Sequence, residues 1–442
     1  MKKKSAIKTI ITLLELGFVA KLLSTIARIL MTREMGVDAM GLYQLANPCM
    51  LLVITISQFG LPTAMATLVS RHPNKAKKLL ISGLFIAFII AVLMMILTIA
   101  LAPTISNNVL KNPNITLTLY ALALLIPLVS LSAIIKGFFL GLNEIELTST
   151  STICEEVGRI LFIIFFLHYF VENGPSYASF GAMLGVCIGE IFQTLYMVLF
   201  NDKKLFLRLN EIASLRSKGN LSETKNIVKL SLPLTLSRLI GSITYFLESI
   251  IITNLMLKYG ASINQITHDY GILSGYVMPL LLMPGFFATA FGNYLLPNMS
   301  KDIGTNHIIS AQKKFKKITF FSLLTGIFFT IIFMVFGDKI MLILYGSDEG
   351  FELIRILAVP FIIYYIEAPI VSSMHALNLT TKAFYATTIS CIVRIILLLV
   401  LTRPLQITAV AVATIFAVFI DVIINGYFVI DRLFFHNQKI VL

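Results

Sequence analysis

Apolar runs of about 20 residues follow one another along nearly the whole chain, each closed by a short polar stretch. That is the length a helix needs to cross roughly 30 Å of hydrocarbon at 1.5 Å per residue. About twelve such runs stand out, near 10–32, 42–69, 79–103, 115–140, 148–171, 177–200, 229–257, 270–297, 318–345, 353–378, 383–402 and 406–430. They predict an all-α polytopic membrane protein. The basic and then apolar start, "MKKKSAIKTIITLLELGFVAKLLSTIARIL", has the order of a signal peptide, but its apolar part is too long and no small-residue cleavage site follows. It is expected to stay as the first helix.

The longest polar stretch, residues 201–226, falls between the sixth and seventh runs. It predicts two six-helix lobes, 1–200 and 227–442, joined by a cytoplasmic linker. Composition agrees with the pattern: 57% of the 442 residues are hydrophobic, 13% are charged, and the mean hydropathy is +0.89.

A formal net charge of +13 would suit a nucleic-acid partner if the bases were gathered on one soluble face. They are instead divided between the two sets of loops. Twenty-three Lys and Arg fall in the termini and even-numbered loops, and five (Arg33, Lys111, Lys258, Lys339 and Arg403) in the others. By the positive-inside rule the richer side faces the cytoplasm, which places the chain in the cell membrane with both termini cytoplasmic and excludes nucleic acid. Cys49, Cys154, Cys187 and Cys391 all lie within apolar runs without CxxC spacing, and read as packing residues rather than metal ligands.

The two halves echo each other. "GLNEIELTSTSTICEEVGRI" from Gly141 aligns with "ALNLTTKAFYATTISCIVRI" from Ala376, pairing Asn143 with Asn378 and Arg159 with Arg394. A weaker match sets Gly36 on Gly260. Six spans per half give both halves the same orientation, related by an axis along the membrane normal, as in transporters. Prolines at 48, 62, 127, 233, 279, 284, 360 and 369 would kink spans. Gly181, Gly185 and Gly189 form a small-residue stripe that reads as close helix packing.

Some charges remain inside the spans, each costing roughly 2.5 to 3.5 kcal/mol at a helix centre if it faced lipid alone. The bases are Lys21, Arg28, Lys136, Arg159, Arg238, Arg355 and Arg394; the acids are Glu15, Glu155, Glu156, Glu190, Glu248, Glu367 and Asp421. Glu155 and Glu156 precede Arg159 by four and three residues, the spacing of a same-helix ion pair. Glu248 and Glu367 are further candidates for cavity or interhelix pairs. Lys21 and Arg28 share a face of the first helix; with Arg238 they have no acid at helical spacing, and are candidate cavity residues for an anion, as is Arg394. Asp421 and Asn425 share a face of the last helix and are weak candidates for Na⁺; no other metal site and no cofactor is expected.

The run from Ala27 to Ser70, with "GLYQLANP" and "FGLPTAMATLVS" as its most specific parts, resembles the stage V sporulation protein B branch of the polysaccharide and lipid-II flippase superfamily. "IIKGFFLGLNEIELTSTSTICEEVGRI" is similar to another of that family's motifs, including its Arg at Arg159. The resemblance covers essentially the whole chain and is strongest in the first six spans. It implies two six-helix lobes around a central cavity, and alternating access that flips a polyprenyl-linked saccharide or cell-wall precursor, with a place in spore envelope synthesis. It also implies that basic residues of the first helix, here Lys21 and Arg28, meet the pyrophosphate; coupling to H⁺ or Na⁺ is a separate expectation. Three rivals are set against it: a multidrug or cation antiporter of the same superfamily, which would want an acidic cavity; a polytopic enzyme, for which no long extracytoplasmic loop is seen; and a non-transporting scaffold of envelope assembly.

Overall fold

The structure, a computed structural model, describes residues 2–201 and 219–435, so most of the polar linker lies outside it. Every regular element among the described residues is helical. The chain divides into two compact units, Met1–Phe246 and Leu247–Leu442.

Unit 1 begins with α1 (Lys2–Gln58), whose helical dihedrals break at Gly36 (φ 72°, ψ 178°). A Cβ would be strained at that φ, which is why a glycine stands there. Next come α2 (Leu61–Arg71), α3 (Ala76–Thr104), α4 (Thr116–Gly141), α5 (Ile145–Phe162), α6 (His168–Val171) and α7 (Pro175–Leu199). A π-helical turn, Ile163–Leu167, joins α5 to α6. α8 (Gly219–Lys258) passes from unit 1 into unit 2. Its first part belongs with unit 1 because Ile227 joins a core of Leu61, Met65, Leu79, Leu80, Phe138 and Phe139.

Unit 2 continues with α9 (Ile263–Tyr270), a π-helical stretch at Gly271–Val277, α10 (Met278–Leu282), α11 (Gly285–Gly304), α12 (Ile308–Tyr345), α13 (Phe351–Ala358), α14 (Tyr364–Ala376), α15 (Thr380–Leu405) and α16 (Thr408–Ile430). Its core gathers Leu295, Met299, Phe315, Met374 and Leu433.

Large apolar side chains such as Phe85 (62% exposed), Leu93 (62%) and Phe165 (63%) point away from these cores. A soluble domain does not leave such residues bare in series, whereas a bilayer covers them. Among the described residues, eight helices are long and apolar enough to span a membrane, and up to ten if each bent pair counts as one. The other two of the expected twelve have physical explanations. One apolar stretch, Glu15–Arg71, is 57 residues long, enough for two crossings, and contains the Gly36 break. The fifth expected span, α5 and its continuation, carries Glu155, Glu156 and Arg159, three charges that lower its apolarity below that of the other spans.

The repeat is written in the backbone. Asn143 (φ 65°) and Asn378 (φ 57°) are both left-handed and end α4 and α14 in the same way. Glu144 N–H donates to Phe139 O (2.9 Å) and Leu379 N–H to Met374 O (2.9 Å), the six-to-one bond of a Schellman cap. Gly36 and Gly260 likewise share a positive φ.

Prolines break two spans, both in unit 2. α9–α10 and α11 meet at 47°, and α13 and the Pro360–Ala376 segment at 55°. Each break frees carbonyls that lipid cannot satisfy. Pro369 has no N–H to offer the Tyr365 carbonyl four residues earlier, which accepts instead from Ser322 Oγ at 2.8 Å. Thr330 Oγ1 serves Ala358 O at 3.1 Å, and the Tyr365 hydroxyl donates to Leu281 O at 2.6 Å. Side chains of α12 and α14 thus replace the backbone bonds lost at the two bends and at Pro369 within α14.

Candidate functional site

In unit 1 the buried charges of α5 meet the polar face of α1. Arg159 holds Glu155 through Nη2 (3.0 Å) and Glu156 through Nη1 (3.2 Å), the same-helix pair that its spacing predicts. A cavity of about 120 Å³ opens beside it, lined by Ser24, Arg28, Tyr43, Gln44, Asn47 and Arg159 with two apolar residues. That is room for about four waters at roughly 30 Å³ each. Two guanidiniums, two amides and a phenol give it a strong bias toward hydrogen-bond donors. Glu156 is 6% exposed, and Arg159 Nε is buried without a hydrogen-bond acceptor.

Behind Arg159 the network continues toward α4 and α7. Gln193 Nε2 donates to Glu155 Oε2 at 2.7 Å, Ser132 donates to Gln193 Oε1 at 3.3 Å and also to Glu190, and Lys136 donates to Thr152 Oγ1 at 2.8 Å. Chains of this kind polarise one another and fix the orientation of every member in a low-dielectric interior.

Of the basic residues singled out from the sequence, the cavity takes in Arg28 and Arg159. Lys21 is exposed on α1, one turn before Ser24 and close enough for its charge to act on Glu156. Arg238 is exposed on α8, with Nη2 donating to Thr63 Oγ1 at 3.2 Å. Arg394 lies in unit 2, where its Nη2 meets Glu248 Oε2 at 2.5 Å; Glu248 is 1% exposed. The acid that answers Arg394 therefore comes from another helix, α8.

Asp421 is buried in α16, accepting from Thr387 Oγ1 at 3.2 Å and from Asn425 Nδ2 at 2.8 Å. Glu367 on α14 lies within reach of its charge. Among the described residues, no three His, Cys, Asp or Glu are arranged to hold a metal ion.

Tyr43, Gln44 and Asn47 were not singled out from the sequence. Their signal was available: three polar side chains at i, i+1 and i+4 within the apolar "GLYQLANP", where facing lipid would be costly. Ser24 and Gln193 carried a weaker signal, since Ser and Gln are too common in spans to mark a site.

Two units of membrane-spanning helices, joined by an internal repeat and holding buried charges, define the fold of a polytopic transporter. The chain matches the inward-closed conformation of the lipid II flippase MurJ with a TM-score of 0.71 at 17% identity, over 95% of this chain and 87% of that one. An inward-facing multidrug resistance MATE family transporter of the MOP superfamily matches with a TM-score of 0.64 at 15% identity, over 95% and 96%. Residues 6–302 match the pattern of the family described as "Polysaccharide biosynthesis protein", and the chain belongs to that family. Stage V sporulation protein B of Bacillus subtilis is 29% identical over 412 residues, 91% of this chain and 79% of that protein. The lipid II flippase MurJ of Bacillus subtilis is 24% identical over 422 residues, 88% and 75% respectively.

Proposed function

We propose that the protein is a flippase that moves a lipid-linked saccharide across the cytoplasmic membrane by alternating access, holding its phosphate-bearing head at the unit 1 cavity. The observation that carries this is the donor-rich lining: Arg28 and Arg159 beside Tyr43, Gln44 and Asn47, within a bundle of apolar helices. Guanidinium forks match phosphate oxygens in geometry and charge, and a desolvated site strengthens the match. Lys21, on the same helix, supplies charge at the approach. Arg28 and Arg159 bind; Glu155 and Glu156 keep Arg159 compensated when the site is empty, so the guanidinium never stands buried and alone.

Membership of a polysaccharide biosynthesis family, with a lipid II flippase and a sporulation protein among the relatives, supports the substrate class and a place in spore envelope synthesis. It also supports a transporter rather than an enzyme. The Lys and Arg bias of the loops supports cytoplasmic termini. In unit 2, Glu367 and Asp421 favour coupling to H⁺ or Na⁺, because acids brought together in lipid need a cation.

The test is flipping of a fluorescent polyprenyl-pyrophosphate saccharide in proteoliposomes. Wild type should translocate it, and Arg28→Gln and Arg159→Gln should slow it about tenfold or more, the worth of a charged hydrogen bond. Equal rates for all three would overturn the anion site. Absence of any flipping while an organic cation moves would instead favour the antiporter reading, and no transport of either would favour the scaffold.

A further inference from the structure

We infer that Gln193 is a positioning residue for Arg159, acting through Glu155, and that Gly189, at one end of the glycine stripe of α7, lets it reach. This rests on the anion site proposed for the unit 1 cavity. Glu155 has two oxygens and two partners: Oε1 takes Arg159 Nη2 at 3.0 Å, and Oε2 takes Gln193 Nε2 at 2.7 Å. One bond aims the guanidinium, and the other fixes the carboxylate that aims it.

The amide of Gln193, 3% exposed, has one workable orientation. Turned over, its oxygen would face the Glu155 carboxylate, two acceptors with no proton between them, and would lose the Ser132 hydroxyl that donates to it at 3.3 Å. That clash keeps Gln193 donating toward Glu155, and the Ser132 hydroxyl adds a hydrogen bond to its Oε1 in this orientation. The chain Glu190, Ser132, Gln193, Glu155, Arg159 runs across α7, α4 and α5 and ends at the cavity wall.

Reach is set by backbone approach. A Cβ on Gly189 would stand 3.0 Å from the Glu155 carbonyl oxygen and 3.4 Å from its Cγ, and a Cβ on Gly158 would stand 2.6 Å from the Phe192 ring. α5 and α7 thus lie against each other because each presents a glycine one residue from, or one turn before, a member of the polar chain. The stripe that reads as plain packing in the sequence has a second consequence: it brings an amide on α7 within hydrogen-bonding distance of a carboxylate on α5.

The experiment measures binding of geranylgeranyl pyrophosphate to the full chain in lipid nanodiscs, with thermal unfolding recorded for each variant. Gln193→Met, close in size but without polar hydrogens, should bind the probe about tenfold more weakly, as the loss of a hydrogen bond to a charged group predicts. In a Glu155→Gln background the same change should cost nothing further, because the carboxylate it orients is gone. Should Gln193→Met fail to fold, Ser132→Ala carries the same test with a smaller loss and the same non-additivity. If Arg159→Gln weakens binding while the Gln193 and Ser132 variants bind as wild type, or if their losses simply add to that of Glu155→Gln, the inference is overturned and the anion site stands. Equal binding by wild type and Arg159→Gln would overturn both.

Discussion

Arg159 and Arg394 occupy the same step of two repeats, each fourteen residues after the first residue of a helix that follows the same left-handed asparagine turn. In unit 1 the compensating acids stand on the same helix, Glu155 and Glu156. In unit 2 those positions are Ser390 and Cys391, and compensation comes from Glu248 on α8. The first arrangement keeps the guanidinium neutralised whatever neighbouring helices do, so it suits a residue that exchanges partners with a ligand. The second joins two helices and leaves a deeply buried carboxylate dependent on one partner. On the reading proposed above, duplicated positions have diverged into a binding group and a fastener.

The harshest way to break the comparison is Glu248→Ala, which leaves Arg394 without its acid. Removing one member of a buried pair costs about 3 to 5 kcal/mol, so the unfolding midpoint in denaturant should fall steeply. Glu155→Gln, which leaves Glu156 in place, should cost much less. Replacing Glu248 and Arg394 together by Met should recover most of the loss; recovery would establish the pair as a fastener, and none would show that Arg394 has another task.

Transport provides the converse. Arg159→Gln should lower flipping by about 1.5 to 3 kcal/mol in apparent transition-state binding, the range for charged hydrogen bonds, and should also lower the unfolding midpoint, because Glu155 and Glu156 lose their cation. A larger transport defect in an Arg394→Met, Glu248→Met protein would reverse the assignment of roles.

The units also differ in their proline breaks, which among the described spans fall in unit 2. Tyr365→Phe removes the hydroxyl that caps Leu281 O and should cost about 1 to 3 kcal/mol as an unsatisfied buried carbonyl. Hydrogen exchange at residues 280–288 should rise in step. Unchanged protection there would mean that water already serves the carbonyl.

The smallest effects should come from the shared turns. Asn143→Ala and Asn378→Ala each force a Cβ-bearing residue without a compensating amide into a left-handed conformation, at about 1 kcal/mol apiece. Similar losses at both would confirm that the repeat is kept at the level of backbone; a loss at Asn378 alone would indicate that the α4 cap in unit 1 is held by packing.

Much of this was legible in the chain. The apolar runs set the spans, the offset between Gly141 and Ala376 set the repeat, and the spacing of Glu155, Glu156 and Arg159 set their ion pair. Helical spacing is a local property, so a same-helix pair can be read before any tertiary structure is known. Arg238 was read as a cavity base because no acid stood at helical spacing; its partner, Thr63, lies 175 residues away and is not an acid. Gln193 went unnoticed because nothing local distinguishes a glutamine that orients a carboxylate from one that faces a neighbour.

What the sequence determined alone is whatever depends on neighbours along the chain: the helices, their membrane length, the duplicated turns and the local compensation of Arg159. Only the tertiary structure decided which acid answers Arg394, which hydroxyls serve the carbonyls freed by proline, and which polar residues of the first 60 surround Arg28. Those choices depend on helix rotation and backbone approach, which hydropathy leaves open because lipid accepts any apolar face. The buried polar groups do not, and in this protein they settle how its helices face one another within each unit.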